Sequence, residues 1–269
     1  MRITRGMFVH RIPYVRFGTG PQILLVFAGG PGNFALTTLG ALALIGSMRV
    51  FCTDYTVYLV TRKSGLPDGY STRDMSDDYA QLICDEFGGS VELVVGISLG
   101  GMIAQHFAAD HADLFSHLVI VSAAHKISEQ AKRLDVRYAE LIGLGKDREA
   151  MAELAGTVLP DSVFKPIVAA TLWICGKLLL GPLSDTSRRD IVIEAKAEAT
   201  HDSIESLKGI KVPILIIGGR NDYALSLQSL QEMAAVIEKA SLKIYGGGHM
   251  AVLFNKRFVE DVRQFVSRV

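Results

Sequence analysis

The sequence is poor in cysteine and carries no excess of charge of either sign. Its three cysteines, Cys52, Cys84 and Cys175, lie far apart among apolar residues. A disulfide framework needs an even set of cysteines and a zinc site needs clustered Cys and His, so we predict reduced thiols in the core and no metal site. Lysine plus arginine and aspartate plus glutamate each number 28. The resulting net charge of zero gives no reason to expect nucleic acid or an anionic membrane as a partner.

The sequence also lacks a signal-peptide pattern and a clear membrane span. The N-terminal stretch MRITRGMFVHRIPYVRFG has charges throughout and no apolar block, so a cytoplasmic location is expected. The most apolar stretch, PIVAATLWICGKLLLGPL, is barely long enough to cross a bilayer, and it carries Lys177 in its middle and a proline near each end. We interpret this stretch as a buried or lid helix.

Apolar residues are abundant, and they occur in a regular order. They make up 49% of the 269 residues, which predicts a large core and leaves room for an apolar pocket or a subunit contact such as that of a homodimer. Short apolar runs typical of strands, such as VELVVG, HLVIVSA and VPILIIGG, alternate with amphipathic segments. This alternation predicts an α/β fold with a mainly parallel sheet and helices on its faces.

The alternation is interrupted between about residues 125 and 211. This region lacks strand-like runs and is predicted to form several helices, including SEQAKRLDVRYAELIGLG and FKPIVAATLWICGKLLL. The strand–helix order resumes at Val212. We therefore predict an α/β core made of residues 1–124 and 212–269, with residues 125–211 inserted as a helical cap over one end of the sheet.

The segment VELVVGISLGGMIAQHFA places a serine between glycines where a predicted strand passes directly into a helix. This context is that of a nucleophile elbow, in which a sharp turn exposes a serine hydroxyl. A Cβ atom at Gly96 or Gly100 would clash with the neighbouring strand or helix. The pattern therefore predicts Ser98 as a nucleophile, and it puts the Leu99 N–H at a helix start, where that N–H lacks an intrahelical partner.

A serine nucleophile needs a base, and the seven histidines of the chain are the candidates. His249 is preferred because IYGGGHM puts it just after a predicted strand and three glycines, and His125 is the second candidate. Asp222, in ILIIGGRNDY, follows a buried strand at the end of the sheet where ligands bind in α/β folds. We predict that Asp222 orients His249.

A second glycine-rich turn, VFAGGPGN, follows an early predicted strand. Glycines let a backbone N–H approach a substrate oxygen closely, and proline has no N–H to donate. The Gly30 N–H is therefore the predicted partner of the Leu99 N–H in an oxyanion hole.

With these residues assembled, the chain resembles the α/β-hydrolase-fold serine hydrolases that carry a helical cap. The resemblance rests on AGGPGN, GISLGG, VPILIIGGRNDY and GGGHM in that order, and it runs from about Arg16 to the C-terminus. It implies a mainly parallel eight-stranded sheet, acyl-enzyme chemistry on a small-molecule substrate and no cofactor. In these terms Ser98 attacks a carbonyl carbon, His249 accepts its proton, Asp222 holds the His249 tautomer, and the Gly30 and Leu99 N–H groups stabilise the oxyanion.

The chain departs from the family pattern at two places. Members commonly have a histidine before the oxyanion glycines, where this chain has Ala28. The segment TRKSGLPDGYS contains Arg62, Ser64 and Gly65 but lacks the Asp that usually leads this part of the family sequence.

The substrate must be inferred from the pocket, which is predicted to be formed mostly by the cap. Phe164, Trp173 and Leu178 are predicted pocket residues and favour an ester or lactone with an apolar acyl or aromatic group. Alternatives on the same triad are a proline-releasing aminopeptidase, whose substrate amine would need cap carboxylates, and a carbon–carbon bond hydrolase. Candidate carboxylates are Glu194, Glu198 and Glu205. The alternative outside enzymes is a ligand receptor without catalytic activity.

Overall fold

The computed structural model describes residues 2–30, 32, 38–155 and 163–267. In these residues an eight-stranded sheet has the order β1-β2-β4-β3-β5-β6-β7-β8. The strands are β1 (Thr4–Met7), β2 (Pro13–Gly18), β3 (Gln22–Phe27), β4 (Tyr55–Val60), β5 (Val91–Ile97), β6 (Phe115–Val121), β7 (Ile214–Gly219) and β8 (Ala240–Tyr245). β2 is antiparallel to both of its neighbours, β1 and β4, and all other neighbouring strands are parallel. The predicted α/β-hydrolase architecture of the sheet is confirmed.

Each strand from β3 onwards is followed by one or more helices. The described helices are α1 (Thr38–Met48), α2 (Thr72–Glu86), α3 (Leu99–Asp110), α4 (Glu129–Gly143), α5 (Asp147–Glu153), α6 (Lys165–Leu180), α7 (Asp185–Ala199), α8 (Ile204–Leu207), α9 (Leu227–Val236) and α10 (Phe258–Val266). Helix α2 begins with a reciprocal capping box, in which the side chains of Ser71 and Asp74 bind each other's backbone N–H groups.

The central strands are buried on both faces, which explains their continuous apolar sequences. In β3, Leu25 and Phe27 belong to one core cluster, whereas Leu24 and Val26 belong to the cluster on the opposite face. Successive side chains of a strand point to opposite faces, so one apolar run supplies both cores. Because β3 to β8 run parallel, their carboxyl ends lie at the same end of the sheet, and the loops that follow these strands meet there.

The described residues between β6 and β7 form helices α4 to α8. Their own apolar cluster includes Tyr138, Ile142, Met151 and Ile191. Helix α4 packs on α7, and α5 packs on α6. We call residues 125–211 the cap, a domain division that stays a proposal.

The structure differs from the sequence-based expectations in its elements and its thiols. β1 and α1 were not predicted. Cys84 and Cys175 are exposed, so the prediction of core thiols is wrong for both. In α2 the buried face is formed by residues such as Tyr79, Leu82 and Ile83, and Cys84 lies beside that face. None of the helices in the described ranges has the length and hydropathy that a membrane span requires.

Candidate active site

Ser98 occupies the turn between the end of β5 and the start of α3. Its backbone has φ 52° and ψ −122°, a left-handed conformation that strains a residue with a side chain. The turn is fixed by hydrogen bonds on both sides, because the Ser98 N–H donates to the Val121 carbonyl at 2.9 Å and the Ser98 carbonyl accepts from Gly101 and Met102 at 2.7 and 3.1 Å. The rest of the sheet and the helix thus hold the strained turn in place.

Glycines allow this turn to lie close to its neighbours. A Cβ atom on Gly96 would come within 2.7 Å of the Ala104 Cβ, and one on Gly100 would come within 2.0 Å of the Phe27 carbonyl oxygen. Both distances are far shorter than a carbon atom tolerates. The expected clash at these two glycines is therefore confirmed.

The structure brings together the three side chains that the sequence singles out. His249 Nε2 lies 2.9 Å from Ser98 Oγ, and His249 Nδ1 lies 2.8 Å from Asp222 Oδ2. The Asp222 side chain is fully buried, whereas His249 is 13% exposed. Asp222 Oδ1 also accepts the Ala224 N–H at 2.9 Å. These contacts form one hydrogen-bonded chain from the hydroxyl through the imidazole to the carboxylate.

The loop that carries His249 is fastened to the neighbouring strand ends. Ser122, the residue after β6, donates its hydroxyl to the His249 carbonyl at 2.8 Å. The Asn221 N–H donates to the Gly247 carbonyl at 3.0 Å, which joins the loops after β7 and β8. His249 therefore takes its position from two neighbouring parallel strands as well as its own.

Two backbone N–H groups are available near Ser98. Gly30 has φ 72°, which suits glycine, and Leu99 is the first residue of α3. Within the described part of the chain neither the Gly30 N–H nor the Leu99 N–H donates a hydrogen bond. The role of these two N–H groups in an oxyanion hole stays a prediction.

Arg62, which follows β4, binds the glycine-rich loop that follows β3. It is 2% exposed, and its guanidinium donates to the carbonyls of Ala28, Gly30 and Gly32 at 2.8, 2.5 and 2.6 Å. It also pairs with Glu194 of α7 at 2.8 Å, and the Gly32 N–H donates to the same carboxylate. Burial acts to lower the pKa of Arg62, but the charge and hydrogen bond of Glu194 outweigh burial and raise it. The Arg62–Glu194 pair thus supports a loop in which Ala28 replaces the usual histidine.

A second carboxylate of α7 binds the loop after β4. Asp190 accepts the N–H groups of Gly65 and Leu66 at 2.9 and 2.8 Å. Asp190 and Glu194 are four residues apart, so they lie on the same face of the helix. Helix α7 therefore binds the two core loops that follow β3 and β4. The sequence carried one signal of this arrangement, the charged Arg62 directly after an apolar strand.

Two of the three predicted pocket residues, Phe164 and Trp173, have exposed side chains. Phe164 and Trp173 are 62% and 42% exposed, and Arg148 lies over the Trp173 ring at 4.8 Å. The Leu178 side chain lies outside the described residues. His125 bonds to Glu232 at 3.0 Å. The pocket roles of Phe164, Trp173 and Leu178 therefore stay predictions.

The family model of the alpha/beta hydrolase family matches residues 24–261. The chain belongs to this family, which is the class that the sheet order and the turn at Ser98 define. A relative from Serratia proteamaculans (strain 568), named "Putative carbamate hydrolase RutD", is 26% identical over 239 residues, covering 88% of this chain and 86% of the relative.

Solved structures share the fold over nearly the whole chain. The enol-lactonase from Burkholderia xenovorans LB400 superposes with a TM-score of 0.71 at 21% identity, covering 96% of each chain. The meta-cleavage product hydrolase CumD from Pseudomonas fluorescens IP01 gives a TM-score of 0.70 at 20% identity, covering 95% of this chain and 94% of that one. At these identities the likeness shows the fold alone.

Proposed function

We propose that the protein is a serine hydrolase that cleaves a carboxylic ester or lactone through an acyl-enzyme on Ser98. The observation that carries this proposal is the hydrogen-bonded chain from Ser98 Oγ through His249 to Asp222, with distances of 2.9 and 2.8 Å. A serine hydroxyl becomes an effective nucleophile only when an adjacent base removes its proton, and the two contacts support His249 as that base and Asp222 as the acid that orients it.

The first half of the reaction forms the acyl-enzyme. Ser98 Oγ attacks the carbonyl carbon while His249 Nε2 takes the hydroxyl proton. The carbonyl electron pair moves to the oxygen, which accepts hydrogen bonds from the Gly30 and Leu99 N–H groups. When the tetrahedral intermediate collapses, His249 donates its proton to the leaving alkoxide. The buried Asp222 carboxylate stabilises the imidazolium that forms in between.

The second half releases the acyl group. His249 accepts a proton from water, whose oxygen attacks the acyl carbon, and the Ser98–acyl bond breaks as His249 returns the proton to Ser98 Oγ. Arg62 and Glu194 contribute by holding the loop that carries Gly30, since they bind three of its carbonyls and the Gly32 N–H.

We propose an apolar or aromatic acyl group because the sequence of the cap contains apolar and aromatic residues that are predicted to line the pocket. The exposed positions of Phe164 and Trp173 lend this part no further support. A carbamate is the second candidate substrate, and the similarity to a relative named as a carbamate hydrolase over most of both chains favours it. In the cleavage of an ester and of a carbamate alike, Ser98 attacks a carbonyl carbon with help from the same residues. Only substrate assays therefore distinguish the two candidates.

The test is peptide mass spectrometry after exposure to a fluorophosphonate, which needs no knowledge of the substrate. We expect an adduct on Ser98 in the native protein and none in His249→Ala. Turnover of a short p-nitrophenyl ester against a p-nitrophenyl carbamate then separates the two candidates. A folded native protein that neither forms the adduct nor hydrolyses either compound would contradict the proposal and favour a ligand receptor.

A further inference from the structure

The start of helix α4 is hydrogen-bonded to the loop that carries Asp222. Ser128 precedes α4 and caps it, because its Oγ accepts the Ala131 N–H at 3.1 Å. The Ser128 N–H donates to the Ala224 carbonyl at 2.8 Å. The Ser128 hydroxyl donates to the Tyr223 carbonyl at 2.9 Å. Two hydrogen bonds therefore join the first helix of the cap to the two residues that follow Asp222.

The Ser128 hydroxyl serves both partners at once. A serine hydroxyl has one hydrogen to donate and two lone pairs that accept. The Ala131 N–H occupies a lone pair, and the hydrogen is directed at the Tyr223 carbonyl. An alanine at this position would lose both bonds, whereas a threonine would keep the donor and the acceptor.

One peptide group carries the effect of Ser128 to Asp222. The peptide between Tyr223 and Ala224 is planar, and in a trans peptide the carbonyl and the N–H point in opposite directions. Its carbonyl accepts the Ser128 hydroxyl at 2.9 Å, and its N–H donates to Asp222 Oδ1 at 2.9 Å. Because the group is rigid, holding the carbonyl also fixes the direction of the N–H. Ser128 thereby fixes the donor that binds the Asp222 carboxylate.

The carboxylate passes this constraint on to His249. One Asp222 oxygen is held by the Ala224 N–H, and the other lies 2.8 Å from His249 Nδ1. A carboxylate bound at both oxygens does not rotate about its Cβ–Cγ bond without breaking a hydrogen bond. The Tyr223 ring also lies beside the His249 ring, with 5.6 Å between the centroids. The same short loop thus contacts the imidazole through the carboxylate and through an aromatic ring.

The segment that leads to Ser128 is itself bound to the core. Gln105 of α3 is fully buried, and its Nε2 donates to the Ala124 carbonyl at 3.1 Å. His125 Nε2 lies 3.0 Å from Glu232 of α9. These contacts fix the chain on two core helices just before Ser128. By its contacts Ser128 therefore belongs with the core more than with the rest of the cap.

We propose that Ser128 is a positioning residue for the reaction at Ser98. Its hydroxyl holds the Tyr223–Ala224 peptide, and the N–H of that peptide holds Asp222 in the orientation that serves His249. Ser128 acts through these groups, and its role is to keep the acid and the base aligned. This inference rests on the proposed function, because an aligned Asp222–His249 pair has a consequence only if His249 acts as the base.

The first test separates kcat from KM in Ser128→Ala. We expect kcat for a p-nitrophenyl ester to fall by about tenfold, since one orienting hydrogen bond is lost, while KM changes by less than about twofold. Ser128→Thr should restore kcat to within about twofold of the native value, because it keeps the hydroxyl and the extended backbone at this position (φ −66°, ψ 153°) suits a β-branched residue. A native kcat in Ser128→Ala would overturn the role.

Ser226→Ala is the matched control for the loss of a helix cap. Ser226 caps α9, and its Oγ accepts the N–H of Ser229, three residues on, at 2.9 Å. The Ser128 cap of α4 has the same spacing. Ser226→Ala should therefore keep the native kcat. If both alanine variants lowered kcat equally, the effect would come from weakened helices and the positioning role would be overturned.

A double variant tests whether Ser128 acts through Asp222. In the Asp222→Asn background the carboxylate is already absent, so adding Ser128→Ala should change kcat by less than about twofold, because the two residues act in one chain. A tenfold fall in both backgrounds would show that Ser128 acts independently of Asp222, and it would overturn the inference.

The rate of fluorophosphonate labelling distinguishes this inference from the proposed function. We expect Ser98 to be labelled in the native protein and about tenfold more slowly in Ser128→Ala, because the probe also requires the activated hydroxyl. Equal rates in the two proteins would overturn the role of Ser128 and leave the proposed function standing. A native protein that forms no adduct would contradict the proposed function, and the role of Ser128 would fall with it.

Discussion

The core side and the cap side of the candidate site are built in opposite ways. On the core side, Ser98, Asp222 and His249 are far apart in the sequence and meet because β5, β7 and β8 end at the same edge of one sheet. On the cap side, Asp190, Glu194 and Glu198 lie on one helix, and periodicity alone aligns them. The comparison teaches that topology brings the side chains of Ser98, Asp222 and His249 together, whereas one helix binds the loops after β3 and β4. Variants on the core side should mainly change kcat, and variants on the cap side should mainly change stability.

The largest effect is expected on the core side. Ser98→Ala and His249→Ala should each lower kcat by about a million-fold, because either change removes proton transfer to and from the nucleophile. Circular dichroism should show an unchanged fold. Ser267→Ala, at an exposed position, is the control and should keep full activity. Full turnover in Ser98→Ala would assign the reaction to another residue.

Asp222→Asn should be less severe, with a fall in kcat of about ten-thousand-fold. Asp222 orients His249 through Nδ1 and stabilises its charged form, but it does not transfer a proton itself. Steady-state kinetics on one ester for all three core variants would rank them. If Asp222→Asn retained native kcat, the 2.8 Å contact with His249 would have no catalytic role.

The cap side is best tested at the Arg62–Glu194 pair. Glu194→Gln should destabilise the protein by about 3–5 kcal/mol and lower kcat, because it leaves a buried guanidinium without its counter-charge. Urea unfolding measures the first effect. The double variant Arg62→Met/Glu194→Leu should be less destabilised than either single change, since no charge is left unpaired. As a matched exposed pair, Lys208–Glu205 should contribute less than about 1 kcal/mol.

Asp135 predicts a pH dependence of stability that distinguishes the cap from the core. Its native pKa of about 6 lies above the unfolded value of about 3.9, so the native state binds more protons between these two values. The free energy of unfolding should therefore fall as the pH rises through this window, by on the order of 3 kcal/mol. Asp135→Asn should flatten this slope in urea titrations at several pH values. An unchanged slope would mean that a neighbouring group, such as Glu198, is responsible.

The smallest effect is expected at Ser122, which binds the loop that carries His249. Ser122→Ala removes the 2.8 Å hydrogen bond to the His249 carbonyl, which should cost about 1 kcal/mol and lower kcat by about fivefold. Ser47→Ala removes a hydroxyl that donates to Leu44 at 2.9 Å within α1. It should cost similar stability without changing kcat. A similar kcat in both variants would show that the His249 loop needs no support from β6.

The class of fold could be predicted from the sequence because most of its elements have a characteristic local sequence pattern. Strands buried on both faces appear as continuous apolar runs, and the glycines around Ser98 mark a turn that tolerates no Cβ atom. β1 was missed because its sequence TRGM has no apolar alternation and its residues are not fully buried. The exposed positions of Phe164 and Trp173 were missed for a related reason: an apolar helix does not reveal which side a neighbour covers.

The sequence alone indicated which residues are chemically able to act: a serine between glycines where a strand passes into a helix, a histidine and an aspartate after strands, and the Gly30 and Leu99 N–H groups. Only the tertiary structure decided which of them meet and what supports them. The Arg62–Glu194 contact joins residues 132 positions apart. The sequence around each of them does not indicate which residue it will pair with. Among the described residues Glu194 has a hydrogen-bonded partner and Glu198 has none, although both are glutamates on the same helix face. Their different roles follow from the core atoms opposite each one, and those atoms come together only when the chain has folded.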